Sequence, residues 1–90
     1  MIRKHLLIEG KVQGVFFRAH IQQVARSLGF RGWAKNRSDG RVEAVLEGEA
    51  KNWPEMFAWC GQGPPAAAVR QIEVTDEPYR GEYRDFAIRY

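Results

Sequence analysis

The stretch GKVQGVFFR, residues 10–18, joins two segments with different apolar spacing, and it decides the fold. Before it, from about Arg3 to Val12, apolar and polar residues alternate, which predicts a strand with one buried face. After it, apolar residues recur at helical spacing until Gly29, a residue type that commonly ends helices. The stretch therefore predicts a strand–loop–helix unit with Arg18 at the start of the helix. The strand's buried face holds Leu6, Ile8 and Val12, its other face His5, Glu9 and Lys11, and the helix stripe Phe17, Ile21, Val24, Ala25 and Leu28.

The loop has the chemistry of an anion site. Backbone N–H groups at a helix start have no helical acceptor and lie at the positive end of the helix dipole. Gly14 has no Cβ, so its backbone can adopt a positive φ and approach a ligand closely. Arg18 adds a guanidinium that can bind phosphate through two parallel hydrogen bonds, and a cation placed against the dipole favours a bound anion. We expect a phosphate site in the amides of Gln13, Gly14, Val15, Phe16, Phe17 and Arg18; the alternative is an ordinary turn.

The remaining periodicity predicts one more helix and four more strands. A hairpin turn at Ser38-Asp39-Gly40 separates the second strand from the third. The second helix has Asn52 and Glu55 as a capping pair, with Pro54 in the first turn. Its buried stripe comprises Trp53, Met56, Phe57 and Cys60, with Trp59 partly exposed. The strands are expected at about 30–36, 41–47 and 69–75, the third of these with Ile72 and Val74 inward, and finally through Phe86, Ile88 and Tyr90 after a loop at 77–82.

This order of elements indicates the fold class. A β-α-β-β-α-β series followed by a short extra C-terminal strand predicts an α+β fold. Two helices would pack on one face of a mainly antiparallel sheet. Ninety residues are enough for one domain, so a single domain over residues 1–90 is expected.

Composition narrows the classes of function. The formal net charge of +3 is too mild to choose between a small phosphate ester and a nucleic acid. No apolar run is long enough to span a membrane, and the first residues lack the apolar region of a signal peptide, so a cytoplasmic protein is expected. The single cysteine, Cys60, excludes an internal disulfide and a cysteine metal cluster. Cys60 is expected to be a small buried apolar group.

The motifs, taken in order, resemble the acylphosphatase family over nearly the whole chain. The resemblance implies a ferredoxin-like βαββαβ sandwich that hydrolyses the carboxyl–phosphate bond of acyl phosphates without a metal. It also implies a small-molecule acyl phosphate substrate, with inorganic phosphate as product and competitive ligand, and no cofactor. We further expect a monomer that binds neither nucleic acid nor membrane. The matching motifs are 10–18, Ala25…Leu28-Gly29, Gly32-Trp33…Asn36, Asp39-Gly40…Val42-Glu43, Gly63-Pro64-Pro65…Ala68-Val69 and Phe86…Ile88…Tyr90.

Two catalytic residues are implied by the resemblance, Arg18 on the phosphate and Asn36 on the attacking water. Residue chemistry alone favours the alternative that Asn36 simply starts the hairpin turn, and the resemblance reverses that preference. Arg37 departs from the family pattern, which often has a small or hydroxyl residue there. His5 and His20 do not fit the family's site.

The sparse site suits an acyl phosphate. The sequence shows no Ser/His/Asp set, metal-ligand spacing or paired carboxylates near the loop. A carboxylate leaving group departs without a general acid, so positioning and charge stabilisation can supply most of the catalysis.

The main alternatives are a non-catalytic anion-binding module and an RNA-binding module of similar architecture. Arg31-Gly32-Trp33-Ala34 imitates the first half of an RNA-recognition signature. The aromatic residues that should follow are replaced by Lys35, Asn36 and Ser38, which argues against RNA. The presence of both Arg18 and Asn36 argues against a site that has lost turnover.

Overall fold

The computed structural model describes all residues, Met1–Tyr90, and contains two α-helices and a five-stranded sheet. The order of elements confirms the predicted βαββαβ series with a short terminal strand, and the strand boundaries agree within about two residues. A single 3-10 turn, Ala50–Asn52, precedes the second helix. The elements are β1 Ile2–Lys11, α1 Phe17–Ser27, β2 Arg31–Asn36, β3 Val42–Gly48, α2 Trp53–Gln62, β4 Ala68–Glu77 and β5 Phe86–Arg89.

The sheet has the strand order β4-β1-β3-β2-β5. All neighbouring pairs are antiparallel except β2 and β5, which run parallel, with Lys35 level with Arg89. Helix α1 packs over β2 and β5, whereas α2 packs over β4. Because β2 and β5 run in the same direction, the C-terminal ends of both strands lie at the same end of the sheet.

The core lies between the helices and one face of the sheet. The predicted inward residues of β1, Leu6, Ile8 and Val12, are buried there. Phe17, Ile21 and Ala25 of α1 pack onto them, which confirms the helical stripe. Burying a large apolar side chain of this kind stabilises a fold by about 1.5–3 kcal/mol. Neither helix is long and apolar enough to cross a membrane.

One predicted core position, Phe57, is wrong, and the inward-facing Val74 is not covered. Phe57 is 41% exposed, and in α2 only Met56 and Cys60 are fully buried. The Phe57 ring instead rests on Trp53, with the ring centroids 5.5 Å apart. Trp53 itself is half-buried and packs against the edge of the core. Val74 shares the face of Leu6 but remains exposed, because β4 is an edge strand. Trp59 is half-buried, as expected.

The predicted capping pair at the start of α2 is also wrong. Asn52 is the last residue of the 3-10 turn and makes no side-chain cap hydrogen bond. Its Nδ2 instead donates to the carbonyl oxygen of Leu28 at 3.0 Å. A 3-10 turn, and not a side-chain cap, therefore leads into α2, and the Asn52 hydrogen bond connects the start of α2 to the end of α1.

The sheet face away from the helices carries a charged network centred on Arg3, which we call the Arg3 network. The Arg3 side chain is 8% exposed and donates to Glu77 at 2.8 Å, Glu82 at 2.7 Å and Glu47 at 3.2 Å. Glu47, 3% exposed, also accepts the backbone N–H groups of Arg80 and Gly81. Burial opposes the charge of Arg3, but the three carboxylates raise its pKa overall. The network holds the 78–85 loop against the sheet.

Candidate active site

A cleft of about 430 Å³ lies where the start of α1 meets the ends of β2 and β5. It contains both residues for which the resemblance implies a catalytic role, Arg18 and Asn36. Arg18 is the only side chain in its lining that carries a formal charge. The lining residues are Val12, Gly14, Phe16, Phe17, Arg18, Ala19, Asn36, Ile88 and Tyr90.

The start of α1 offers unpaired backbone donors to this cleft. The first helical hydrogen bond runs from the N–H of His20 to the carbonyl of Phe16 at 3.1 Å. The N–H groups of residues 17–19 precede it and have no helical acceptor. None of the ten backbone hydrogen bonds outside helices and strands has its donor in residues 13–19. No acidic side chain occupies the first turn, so the positive end of the dipole is uncompensated.

The loop that leads into α1 has an unusual backbone. Phe16, the residue before the helix, adopts the left-handed conformation with φ 62° and ψ 27°. A bulky residue held there stores strain on the order of 1–3 kcal/mol, which tends to occur at functional sites. Gly14 also has a positive φ, 73°, and an added Cβ would meet no atom within 4 Å. Gly14 is therefore required for its backbone conformation rather than for tight packing.

The six predicted loop residues do not all reach the cleft. Gly14, Phe16, Phe17 and Arg18 line it, but Gln13 and Val15 do not. Val15 places its side chain in the core, so only its backbone can contact a ligand. The side chain of Gln13 has another role, because its Nε2 donates to the carbonyls of Arg37 at 2.8 Å and Arg41 at 3.0 Å. Gln13 thus ties the loop to the β2–β3 hairpin, which the sequence did not indicate.

Arg18 is positioned by the end of β5. One of its terminal nitrogens donates to the carbonyl oxygen of Arg89 at 3.0 Å. Its guanidinium carbon lies 4.9 Å from the centroid of the Tyr90 ring, a cation–π distance. Arg18 has no carboxylate partner among the ion pairs of the structure. Its remaining N–H groups are therefore free for an anionic ligand.

Asn36 reaches the cleft because it is the last residue of β2. It lies on the helix-side face, two residues after the fully buried Ala34, and its own side chain is half-buried. The parallel register aligns Lys35 with Arg89, so the next residues, Asn36 and Tyr90, lie side by side at the C-terminal end of the two strands. An amide can donate and accept at once, which suits it to orient a water molecule.

Arg37, next to Asn36, turns its side chain away from the cleft. Its guanidinium donates to Asp39 at 3.1 Å and Glu43 at 3.3 Å. Hydrogen bonds from Arg41 and then Arg37 hold the pKa of Asp39 well below its usual range. Burial would raise the pKa of Glu43, but hydrogen bonds from His5 and Arg37 lower it overall. Arg37, which departs from the family pattern, is therefore bound by carboxylates of the β2–β3 hairpin and does not enter the cleft.

Neither histidine lines the cleft. His5 lies on the sheet face away from the helices, as expected, with its Nε2 2.7 Å from Glu43. His20 lies in α1, where its Nδ1 is 2.9 Å from the carbonyl oxygen of Phe16. The structure contains no group of three or more His, Cys, Asp or Glu side chains placed to hold a metal ion. Cys60 is buried, and desolvation raises its pKa to about 12.

The contribution of β5 to the site was missed from the sequence. Ile88 and Tyr90 form one wall of the cleft, and the Arg89 carbonyl anchors Arg18. Their alternating pattern predicted the strand, but not its place beside β2. Only the parallel pairing of β5 with β2 brings the C-terminal residues to the start of α1.

Comparisons with known proteins agree with this geometry. A family model described as acylphosphatase matches residues 4–88. An acylphosphatase of Aeropyrum pernix is 50% identical, covering 100% of this chain and 90% of the relative. One of Pyrobaculum arsenaticum is 54% identical over 98% of this chain and 94% of its own length. The crystal structure of acylphosphatase from Bacillus subtilis superimposes with a TM-score of 0.95 at 34% identity, covering both chains completely.

Proposed function

This chain belongs to the acylphosphatase family and hydrolyses the carboxyl–phosphate bond of acyl phosphates, and we propose that Arg18 and Asn36 carry out the reaction. The observation that carries the proposal is the meeting of three features in one cleft. The Arg18 guanidinium, the Asn36 amide and the unpaired N–H groups at the start of α1 all border the same space.

In this proposal the phosphoryl group is bound by charge and hydrogen bonds. The N–H groups of residues 13–18 and the Arg18 guanidinium donate to its non-bridging oxygens. The anchors of Arg18, the Arg89 carbonyl and the Tyr90 ring, fix the guanidinium before substrate arrives. Donors positioned in advance stabilise the charge of the transition state without reorganising, which makes this the main source of catalysis.

Asn36 orients the attacking water. Its position at the end of β2, across the cleft from α1, suits an approach opposite the leaving carboxylate. The water oxygen bonds to phosphorus while the P–O bond to the acyl group breaks, and its electron pair leaves with the carboxylate. Water protons pass to phosphate and solvent, and no general acid is needed at the leaving group.

The remaining expectations from the sequence become part of the same proposal. Residues 1–90 would act as a single domain that needs no cofactor and works as a cytoplasmic monomer. Inorganic phosphate, the product, would compete weakly with substrate because the cleft is small and open. Light scattering of the purified protein tests the monomer, and cell fractionation tests the compartment. The RNA-binding alternative is set aside because the family match and the paired Arg18 and Asn36 favour acyl phosphate chemistry.

The most direct assay is hydrolysis of benzoyl phosphate by purified protein after exhaustive chelation. We expect full activity, since the positive charge at the phosphate comes from Arg18 and backbone amides. Inorganic phosphate added to the same assay should raise KM without lowering kcat. Activity that disappears on chelation and returns with magnesium or zinc would contradict the mechanism.

A further inference from the structure

Phe16 combines two features that are individually unfavourable. Its side chain is 78% exposed to solvent and is one of only six large apolar side chains of this chain that are exposed. Its backbone is the only non-glycine one with a positive φ. Neither feature helps the fold, because an exposed ring buries little apolar surface and a left-handed phenylalanine is strained.

The surrounding structure holds Phe16 in this conformation. Its carbonyl oxygen is within hydrogen-bonding distance of both the backbone N–H and the Nδ1 of His20, at 3.1 Å and 2.9 Å. The next residue, Phe17, is buried and packs edge-on against Trp59 with centroids 5.4 Å apart. The chain on the helix side of Phe16 is therefore fixed, and Phe16 itself lines the cleft.

The cleft has an apolar wall that phosphate binding does not explain. Six of its nine lining residues are hydrophobic, two of them the buried core residues Val12 and Phe17, whereas phosphate binding uses only Arg18 and the loop amides. To the same cleft, β5 contributes Ile88 and the 97% exposed Tyr90. No acidic side chain and no lysine lines the cleft. Such a wall favours apolar ligand surface over charged surface.

We propose that Phe16 is the specificity-determining residue for the acyl half of the substrate, and that this half is aromatic or otherwise bulky and apolar. The inference rests on the proposed function, which puts the phosphoryl group on Arg18 and the loop amides. The acyl group, attached through one bridging oxygen, then lies within the same cleft, between Phe16 and the β5 residues. Small or charged acyl groups gain nothing from this wall.

The expected discrimination is modest. Apolar contacts in an enclosed pocket change kcat/KM by about 10- to 200-fold, and an open cleft lies at the low end of that range. Removing the Phe16 ring should therefore lower kcat/KM for an aromatic acyl phosphate by roughly tenfold, mainly through KM. Hydrolysis of an acyl phosphate with a single methyl group should change by less than about twofold.

The test compares benzoyl phosphate with acetyl phosphate in Phe16→Ala and wild type. Alanine has a Cβ, so the positive φ at this position stays as unfavourable as in wild type, whereas glycine would remove that strain. Phe57→Ala is the matched control, since it removes another exposed phenylalanine, 41% exposed, that does not line the cleft. A thermal melt verifies that each variant is folded, and Phe16→Leu provides a second variant that retains apolar bulk.

A selective loss for benzoyl phosphate in Phe16→Ala, smaller in Phe16→Leu and absent in Phe57→Ala, would support the proposal. An equal loss for both substrates would overturn it, since Phe16 would then act only through the loop backbone. Unchanged kinetics with both substrates would overturn it as well. Arg18→Ala assayed beside these variants separates the two proposals, because full activity there would refute the catalytic site without depending on the Phe16 selectivity ratio.

Discussion

Two arginines of this protein have opposite surroundings. Arg3 is 8% exposed and donates to three carboxylates in the Arg3 network, so its charge is fully compensated within the fold. Arg18 has no carboxylate partner and donates only to the Arg89 carbonyl, under the face of Tyr90. The same side chain therefore serves the fold in one place and is left free for a ligand in the other.

The difference has a physical cause. A buried charge is tolerated only when it is paired and hydrogen-bonded, which makes Arg3 dependent on its neighbours and them on it. The cleft around Arg18 instead gathers donors without acceptors, namely the guanidinium and the unpaired amides at the start of α1. Unpaired donors gathered at a helix start form a binding site for an anion, which then supplies the missing acceptors.

The largest expected effect is at Arg18. Arg18→Ala should lower kcat/KM by roughly 10³-fold or more, because an arginine on a transferring phosphoryl group contributes on that scale. The free energy of unfolding should change by less than about 1 kcal/mol, since Arg18 is only half-buried. Steady-state kinetics and urea denaturation measure the two quantities. Arg18→Lys, which keeps charge but not the planar fork, should fall between wild type and alanine.

Arg3→Met should give the reverse pattern. Removing one member of a buried ion pair leaves Glu47 uncompensated and costs about 3–5 kcal/mol of unfolding free energy. The turnover of the folded protein should be unchanged, because Arg3 does not line the cleft. Lys4→Met on the same strand is the control, since its pair with the exposed Asp76 should contribute less than about 1 kcal/mol. Equal destabilisation by both variants would mean that the Arg3 network has no special role.

Asn36→Ala should separate chemistry from binding within the cleft. Loss of one well-placed polar group typically lowers turnover by roughly 10²- to 10³-fold, or about 3–4 kcal/mol. Because Asn36 is proposed to touch water and not phosphate, substrate affinity and phosphate inhibition should persist. Kinetics together with a thermal melt test this expectation. Near-normal turnover in a folded variant would leave Asn36 as a strand-end residue only.

The smallest expected effect is on pH dependence at the Arg3 network. The Arg3 hydrogen bond lowers the pKa of Glu82 from its ordinary value of 4.5. A carboxyl whose pKa is lower in the folded state stabilises the protein above the unfolded pKa, and that stability is lost as pH falls through the folded pKa. Unfolding free energy should therefore decrease below about pH 4.5 in wild type. The decrease should be shallower in Arg3→Met, as measured by urea denaturation at several pH values; equal slopes would contradict it.

The sequence predicted what depends on local periodicity. The alternation of β1, the stripe of α1 and the glycine loop between them placed Arg18 correctly at a helix start. The motif resemblance supplied the role of Asn36, and the structure places that residue in the same cleft.

What escaped prediction depends on contacts between distant segments. The Arg3 network joins residues more than forty positions apart, and an arginine near the start of a strand carries no sign of such partners. Gln13, Tyr90 and Asn52 likewise acquire their contacts through the packing of separate elements. Phe57 fits the helical spacing, but burial also depends on how α2 packs against distant segments, and there its side chain stays 41% exposed.

The central claim is that Arg18 and the loop amides hold the phosphate, and calorimetric titration with inorganic phosphate tests it most directly. Wild type and Asn36→Ala should bind phosphate with similar, weak affinity, whereas Arg18→Ala should show no measurable binding. The comparison requires that all three proteins give the same thermal melt. Normal phosphate binding by a folded Arg18→Ala variant would contradict the account and move the site elsewhere.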